Sequence, residues 1–155
     1  MPKLRVPFAV DDVERIHSPA TAEKGRNYFC PACGALVIFK QGEIRTAHFA
    51  HKVSDICNQE SITHKTAKLL VQNAVREWKL GNSSSPTLQR ACRICGTYIS
   101  QPLPEKVENA VLEYRLADGS IADVVLLVGE TAQAAVEIRV THAVDEIKAK
   151  ANGKI

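Results

Sequence analysis

The sequence has no long apolar run; the longest, Val124–Val128, is far too short to cross a bilayer. A secretory leader pattern is also missing. MPKLRVPFAVDDVER reaches Asp11 and Asp12 before an apolar segment can form, so the expected location is the cytoplasm, away from membranes. Aromatic residues make up only 5% of the chain, too few to argue a base-stacking platform. No charge of one sign dominates. Twenty Lys plus Arg against 17 Asp plus Glu leave +3, which permits nucleic-acid binding without demanding it. What is present suits a folded domain: 155 residues, 45% hydrophobic and 24% charged, enough to bury a core without cross-links.

Five cysteines stand at positions 30, 33, 57, 92 and 95, four of them in two C-x-x-C pairs. In a reducing compartment such pairs hold zinc more often than they form disulfides. Gly34 and Gly96 follow the pairs directly, where a zinc knuckle needs a residue that lets the backbone turn its N–H groups toward the thiolates. A redox C-x-x-C normally opens a helix, whereas C-P-A-C-G-A-L-V-I-F-K runs into a strand pattern. Two ligand sets satisfy a tetrahedral ion. Cys30, Cys33 and Cys57 with His51 give a Cys₃His site, leaving Cys92 and Cys95 as a second knuckle without obvious partners. Alternatively, the two pairs form one Cys₄ ribbon. The first set is favoured, with His51 chosen over His48 because it stands nearer Cys57.

Hydrophobic periodicity predicts a strand over Leu4–Val10, a loop over Asp11–Arg26, and a hairpin of Leu36–Lys40 against Glu43–Thr46. Helical spacing runs from Glu60 to about Leu80 and Gly81 closes it. The second knuckle sits in an excursion of about 87–104. Strands follow at Val111–Leu116, Ile121–Val128 and Ala134–Val140, then a helix over Val144–Ala151. The expected fold class is therefore α+β or α/β. A small β-rich zinc module (1–58) precedes a helix–three-strand–helix core (59–155) whose next strand would begin near Lys154-Ile155.

Asp123 in I-A-D-V-V-L-L and Glu137 in A-A-V-E-I-R-V are acids inside apolar strand sequence. A carboxylate there needs a hydrogen bond, an opposite charge or a metal ion. Two on neighbouring strands can converge on one Mg²⁺, activating water and steadying charge on a phosphodiester. In E-S-I-T-H-K-T-A-K, Glu60, His64 and Lys68 repeat at i, i+4 and i+8 and so share one helix face. Such a face suits metal or phosphate contact; a solvated helix face is the plainer alternative. In T-H-A-V-D-E-I-K, His142 and Lys148 follow Glu137 closely enough to look back at the acids.

Together V-P-F-A-V, Y-F-C-P-A-C-G, G-E-I-R-T-A-H-F-A-H, E-S-I-T-H-K-T-A-K, R-L-A-D-G-S-I-A-D-V-V-L-L and A-V-E-I-R-V-T-H resemble the competence protein CoiA-like family, from about Val6 to Lys148. That resemblance implies the PD-(D/E)XK nuclease superfamily and metal-dependent DNA cleavage in competence, recombination or mobile-element biology. DNA would be the partner, alongside recombination or DNA-uptake proteins. By position, Glu60, Asp123 and Glu137 would be the catalytic acids with Mg²⁺ or Mn²⁺ as cofactor, His64 and Lys68 would contact substrate, and zinc would be structural. The chain departs from the family's E-x-K pattern, which here reads Glu137-Ile138-Arg139. Arg binds phosphate in a bidentate fork but does not readily transfer protons. Arg139 would then only stabilise charge, with Lys148 supplying the amine and His142 assisting; otherwise the site is inactive and the protein binds DNA.

Overall fold

A computed structural model describes residues 3–52 and 56–140. The N-terminal half is a six-stranded sheet of short strands: β1 (Arg5–Val6), β2 (Ala9–Val10), β3 (Ile16–His17), β4 (Tyr28–Phe29), β5 (Leu36–Lys40) and β6 (His48–Ala50). Its order is β1-β6-β5-β4-β2-β3. The stretch predicted as one strand over Leu4–Val10 is split into β1 and β2 around Pro7. Pro7 has no N–H to give a ladder. The expected hairpin partner of β5 also changes. Ile38, Phe39 and Lys40 pair with Ala50, Phe49 and His48, while Glu43–Thr46 form the exposed connection. The alternation in β5 buries Val37 opposite Tyr28, and Phe49 of β6 is buried opposite Phe39. Val37 and Phe49 join Tyr28, Val6, Ala9 and Cys30 in one core. Tyr28, Phe39 and Phe49 pack ring to ring at 5.4 to 6.2 Å between centroids, near the favourable range for aromatic pairs.

Helix α1 spans Gln59–Lys79, about 31 Å at the usual rise. Asn58 caps it, its side chain accepting the Ser61 N–H at 2.9 Å. Gly81 ends it in the left-handed region at φ 81 and donates its N–H to the Trp78 carbonyl. The helix bridges two cores. Ile62 enters the N-terminal one, and truncation of such a fully buried side chain to Ala costs about 2–5 kcal/mol. Val71, Val75 and Trp78 pack with Val124 and Leu126 of the C-terminal sheet.

That sheet holds β9 (Asn109–Arg115), β10 (Ile121–Val128) and β11 (Thr131–Val136) in the order β11-β10-β9. Hairpin β7 (Thr87–Ala91) and β8 (Tyr98–Pro102) carries the second C-x-x-C at its turn. Here the sequence reading is corrected. The expected α+β or α/β helix–three-strand–helix core of PD-(D/E)XK type does not form. The described residues hold one helix and eleven strands, and their strand pairs are antiparallel. The connections explain it. β9 and β10 join through a turn closed by Leu116 N–H to Ser120 O, with Gly119 at φ 89, and only Gly129 and Glu130 separate β10 from β11. The sheets are built from such short returns, and α1 is the one helix among the described residues. The expected helix over Val144–Ala151, with His142 and Lys148, and the strand expected near Lys154 lie outside the described residues.

Candidate functional site

Two centres emerge, one of sulfur and one of charge. The first is Cys30, Cys33, His51 and Cys57, whose ligand atoms all lie within 4.8 Å of one another. The β4–β5 turn builds it: Cys30 N–H donates to Ala35 O and Gly34 N–H to Cys30 O, with Gly34 at φ 73. β6 delivers His51, and the residue before the α1 cap is Cys57. Cys30 Sγ and Cys57 Sγ are 3.8 Å apart and Cys33 Sγ lies 3.2 Å from His51 Nε2. Zinc–sulfur bonds of ~2.3 Å in a tetrahedron set sulfurs roughly 3.8 Å apart, so the donor set fits zinc. His51 Nδ1 donates to the Lys52 carbonyl, which leaves Nε2 for a metal, the usual support of a ligating imidazole.

The thiols sense one another. Burial and the neighbouring Cys33 and Cys30 push Cys57 up to about 12. Against burial, the Ala35 N–H, His51 and the other two thiols bring Cys33 down to about 7. As thiolates, three sulfurs this close would call for a cation among them. Cys92 and Cys95 are not part of this cluster, and His48 is not either; His48 Nδ1 bonds the Thr46 carbonyl instead.

The second centre lies where α1 crosses β10. Lys68 Nζ donates to Asp123 Oδ1 at 2.9 Å, His64 Nε2 stands 3.2 Å from Oδ2, and the Ile138 N–H donates to Oδ2 at 2.8 Å. Lys68 is buried. Burial opposes ionisation of Asp123, yet the Ile138 N–H, Lys68 and His64 outweigh it and lower its carboxyl to about 2. Asp123 is therefore an anion throughout the physiological range.

A break in strand alternation aims Asp123 at the helix. The β9–β10 register runs from Ile121↔Arg115 to Leu127↔Asn109 but omits a pair between Asp123 and Glu113. Glu113 sits there at φ 53, left-handed for a residue with a side chain. Ala122 and Val124 consequently pack in different cores instead of sharing a face. Irregularities of this kind commonly re-aim a side chain beside a functional site. Glu113 itself contacts Lys65 Nζ at 3.1 Å and Lys68 Nζ at 3.6 Å.

A cleft of about 360 Å³ opens beside this cluster, lined by Asn58, Glu60, Ser61, His64, Ile138, Arg139 and Val140. Glu60, His64 and Lys68 thus occupy one side of the centre and Arg139 the other. Glu137 is exposed just beyond β11, next to Val136, which pairs with Val124. Glu60, Asp123 and Glu137 do not gather within 4.8 Å of one another. Sequence reasoning missed Glu113, because V-L-E-Y-R alternates like any strand, and missed that Lys68 pairs with Asp123. The i, i+4, i+8 spacing was the available signal for the second.

A third feature is electrostatic. A groove of about 700 Å³ on the N-terminal sheet is lined by Lys24, Arg26, Lys40, Arg45 and His48, with Glu43 its one acid.

Residues 12–60 match the family model described as the N-terminal domain of competence protein CoiA. That span contains the whole Cys₃His cluster and ends as α1 begins. No curated protein and no solved structure matches the chain. Among the described residues no helix is long and apolar enough to cross a membrane.

Proposed function

We propose that the protein is a DNA-processing nuclease in which a zinc-stabilised module presents DNA to a metal-assisted phosphodiester-cleaving cleft between the start of α1 and the segment that follows β11. The observation that carries this reading is the buried Lys68 bound to ionised Asp123, with His64 on the same carboxylate. Burying a charge pair costs free energy that a purely structural role could avoid, and perturbed titratable groups in a cleft mark functional sites.

The residues divide the work. Asp123, an anion at any working pH, and exposed Glu137 are the hard oxygen ligands that would hold Mg²⁺ or Mn²⁺. When bound, such an ion supplies Lewis acidity and a more acidic water. The Lys68 ammonium fills the place of the lysine absent from Glu137-Ile138-Arg139, reaching the acid from the helix instead of from β11's extension. It holds Asp123 and offsets negative charge as a pentacoordinate phosphorus develops. His64, on the cleft side, is placed to pass a proton. Arg139, which lines the same cleft, can grip a non-bridging phosphate oxygen pair. The basic groove would take phosphates farther along the strand.

Plasmid cleavage with Mg²⁺ or Mn²⁺, comparing wild type with Asp123→Ala and Glu137→Ala, tests the reading. Cleavage by wild type and loss in both variants are expected; equal activity in all three overturns it. Zinc-stabilised DNA binding without cleavage is the second reading, favoured by the basic groove, and would leave retention of DNA as the measurable activity.

A further inference from the structure

The second C-x-x-C has the same backbone turn as the first but only half its ligands. In the first knuckle Cys30 N–H meets Ala35 O at 2.8 Å and Gly34 N–H meets Cys30 O at 2.9 Å; in the second, Cys92 N–H meets Thr97 O at 2.8 Å and Gly96 N–H meets Cys92 O at 2.9 Å. The glycines match too, at φ 73 and φ 71. Two unrelated stretches therefore fold to the same turn, the one that directs N–H groups at thiolates. Yet among the described residues no third Cys, His, Asp or Glu joins Cys92 and Cys95 in a metal-binding group.

The knuckle is at the tip of the β7–β8 hairpin, with all of β8 exposed. Around it are exposed apolar side chains: Ile94 is 97% exposed, and Tyr98, Leu88 and Ile99 are 75%, 53% and 46% exposed. An apolar tip carrying two thiols is costly to leave in water. We propose that it is one half of a shared metal site: Cys92 and Cys95 from two copies of this chain complete a Zn(Cys)₄ centre that joins the hairpins tip to tip.

Two-fold symmetry makes the arithmetic close. Each copy contributes one pair of ligands, four thiols lose four protons to solvent, and Zn²⁺ with four thiolates carries a net charge of −2. Arg93, exposed between the two cysteines, brings one positive charge per copy and offsets that charge. The same approach covers Ile94 and Tyr98 from both sides. The inference is independent of the nuclease reading, since no residue of the hairpin lines the cleft at the start of α1.

Zinc content and mass in solution decide it, measured on reduced protein by metal analysis and light scattering. One ion per chain at the Cys₃His cluster plus one shared between two chains gives about 1.5 zinc per chain in a dimer. Cys92→Ser with Cys95→Ser should give about one zinc per chain and a monomer with unchanged far-UV circular dichroism. Two zinc per chain in a monomer, or one per chain with a mass the double variant does not alter, overturns the proposal. Co²⁺ provides a second readout: its tetrathiolate charge-transfer band should grow with chain concentration, and a band independent of concentration contradicts a shared site.

Discussion

Lys68 Nζ lies 2.9 Å from Asp123 Oδ1, both groups sheltered between α1 and β10. Fifty-five positions separate them in the chain, and three features bring them together: the helical repeat that puts Lys68 on the face of His64, the left-handed Glu113 that turns Asp123 toward that face, and the Ile138 N–H that holds the carboxylate from beyond β11. Neutralising the acid should be felt first in stability. The folded carboxyl of Asp123, at about 2, lies below its ordinary 3.8. A depressed acid stabilises the fold above its unfolded value and loses that contribution as pH falls through the folded one. Asp123→Asn should therefore cost about 2 kcal/mol at pH 7. The penalty should shrink from about pH 4 downward in denaturant titrations; a penalty that grows on acidification would contradict the assignment.

Glu113 gives a test of the backbone. A side chain at φ 53 costs about 1–2 kcal/mol, and glycine removes that cost. The lost contacts to Lys65 and Lys68 involve a half-exposed carboxylate and are worth little. Glu113→Gly should thus change the melting temperature little or raise it, whereas Glu113→Val, β-branched and left-handed, should lower stability by about 1–2 kcal/mol. Equal melting temperatures for the two variants would remove the argument that this residue is strained.

The Cys₃His cluster predicts dependence on metal. Cys57→Ser removes one of four ligands from a core that also contains Tyr28, Phe49 and Ile62. It should release the zinc and cost about 3 kcal/mol or more, read as lost metal content with a lower melting temperature. A strong chelator should reproduce the effect in wild type. Full zinc retention by Cys57→Ser would exclude Cys57 as a ligand.

The basic groove predicts salt behaviour. Arg26→Glu and Arg45→Glu should each weaken binding of a labelled DNA duplex on the order of tenfold near 0.1 M salt, and flatten the dependence of affinity on salt. Fluorescence anisotropy without added divalent ion measures this apart from cleavage. An unchanged salt slope would mean that DNA does not lie in this groove.

Some of this arrangement was legible in the sequence. The zinc cluster was, because C-x-x-C-G, H-F-A-H and Cys57 announce ligand chemistry locally. Helix α1 was, because its period, cap and closing glycine are written within one local stretch, Asn58 through Gly81. The sheet strands were legible as strands, but not their partners. That β5 pairs with His48–Ala50 and not with Glu43–Thr46 is set by burying Phe49 against Tyr28 and Phe39, a contact no local pattern encodes. The expected helix–three-strand–helix core failed for a related reason. The strands at Leu36–Lys40, Val111–Leu116 and Ile121–Val128 were read near their places, but the described residues hold eleven strands and one helix, because pairs as short as Ile16–His17 and Tyr28–Phe29 leave no periodic signal. Lys68 was singled out as a substrate contact on the helix face, but its pairing with Asp123 was missed because that partner lies on another element.

The most direct test of the central claim is cleavage by Lys68→Ala beside Arg139→Ala, in Mn²⁺, with zinc content and fold checked in each. If Lys68 supplies the amine of the site, its loss should slow cleavage by on the order of 10² or more, while loss of Arg139 should weaken substrate binding with a smaller effect on the rate at saturation. Cleavage at the wild-type rate by Lys68→Ala would contradict the account.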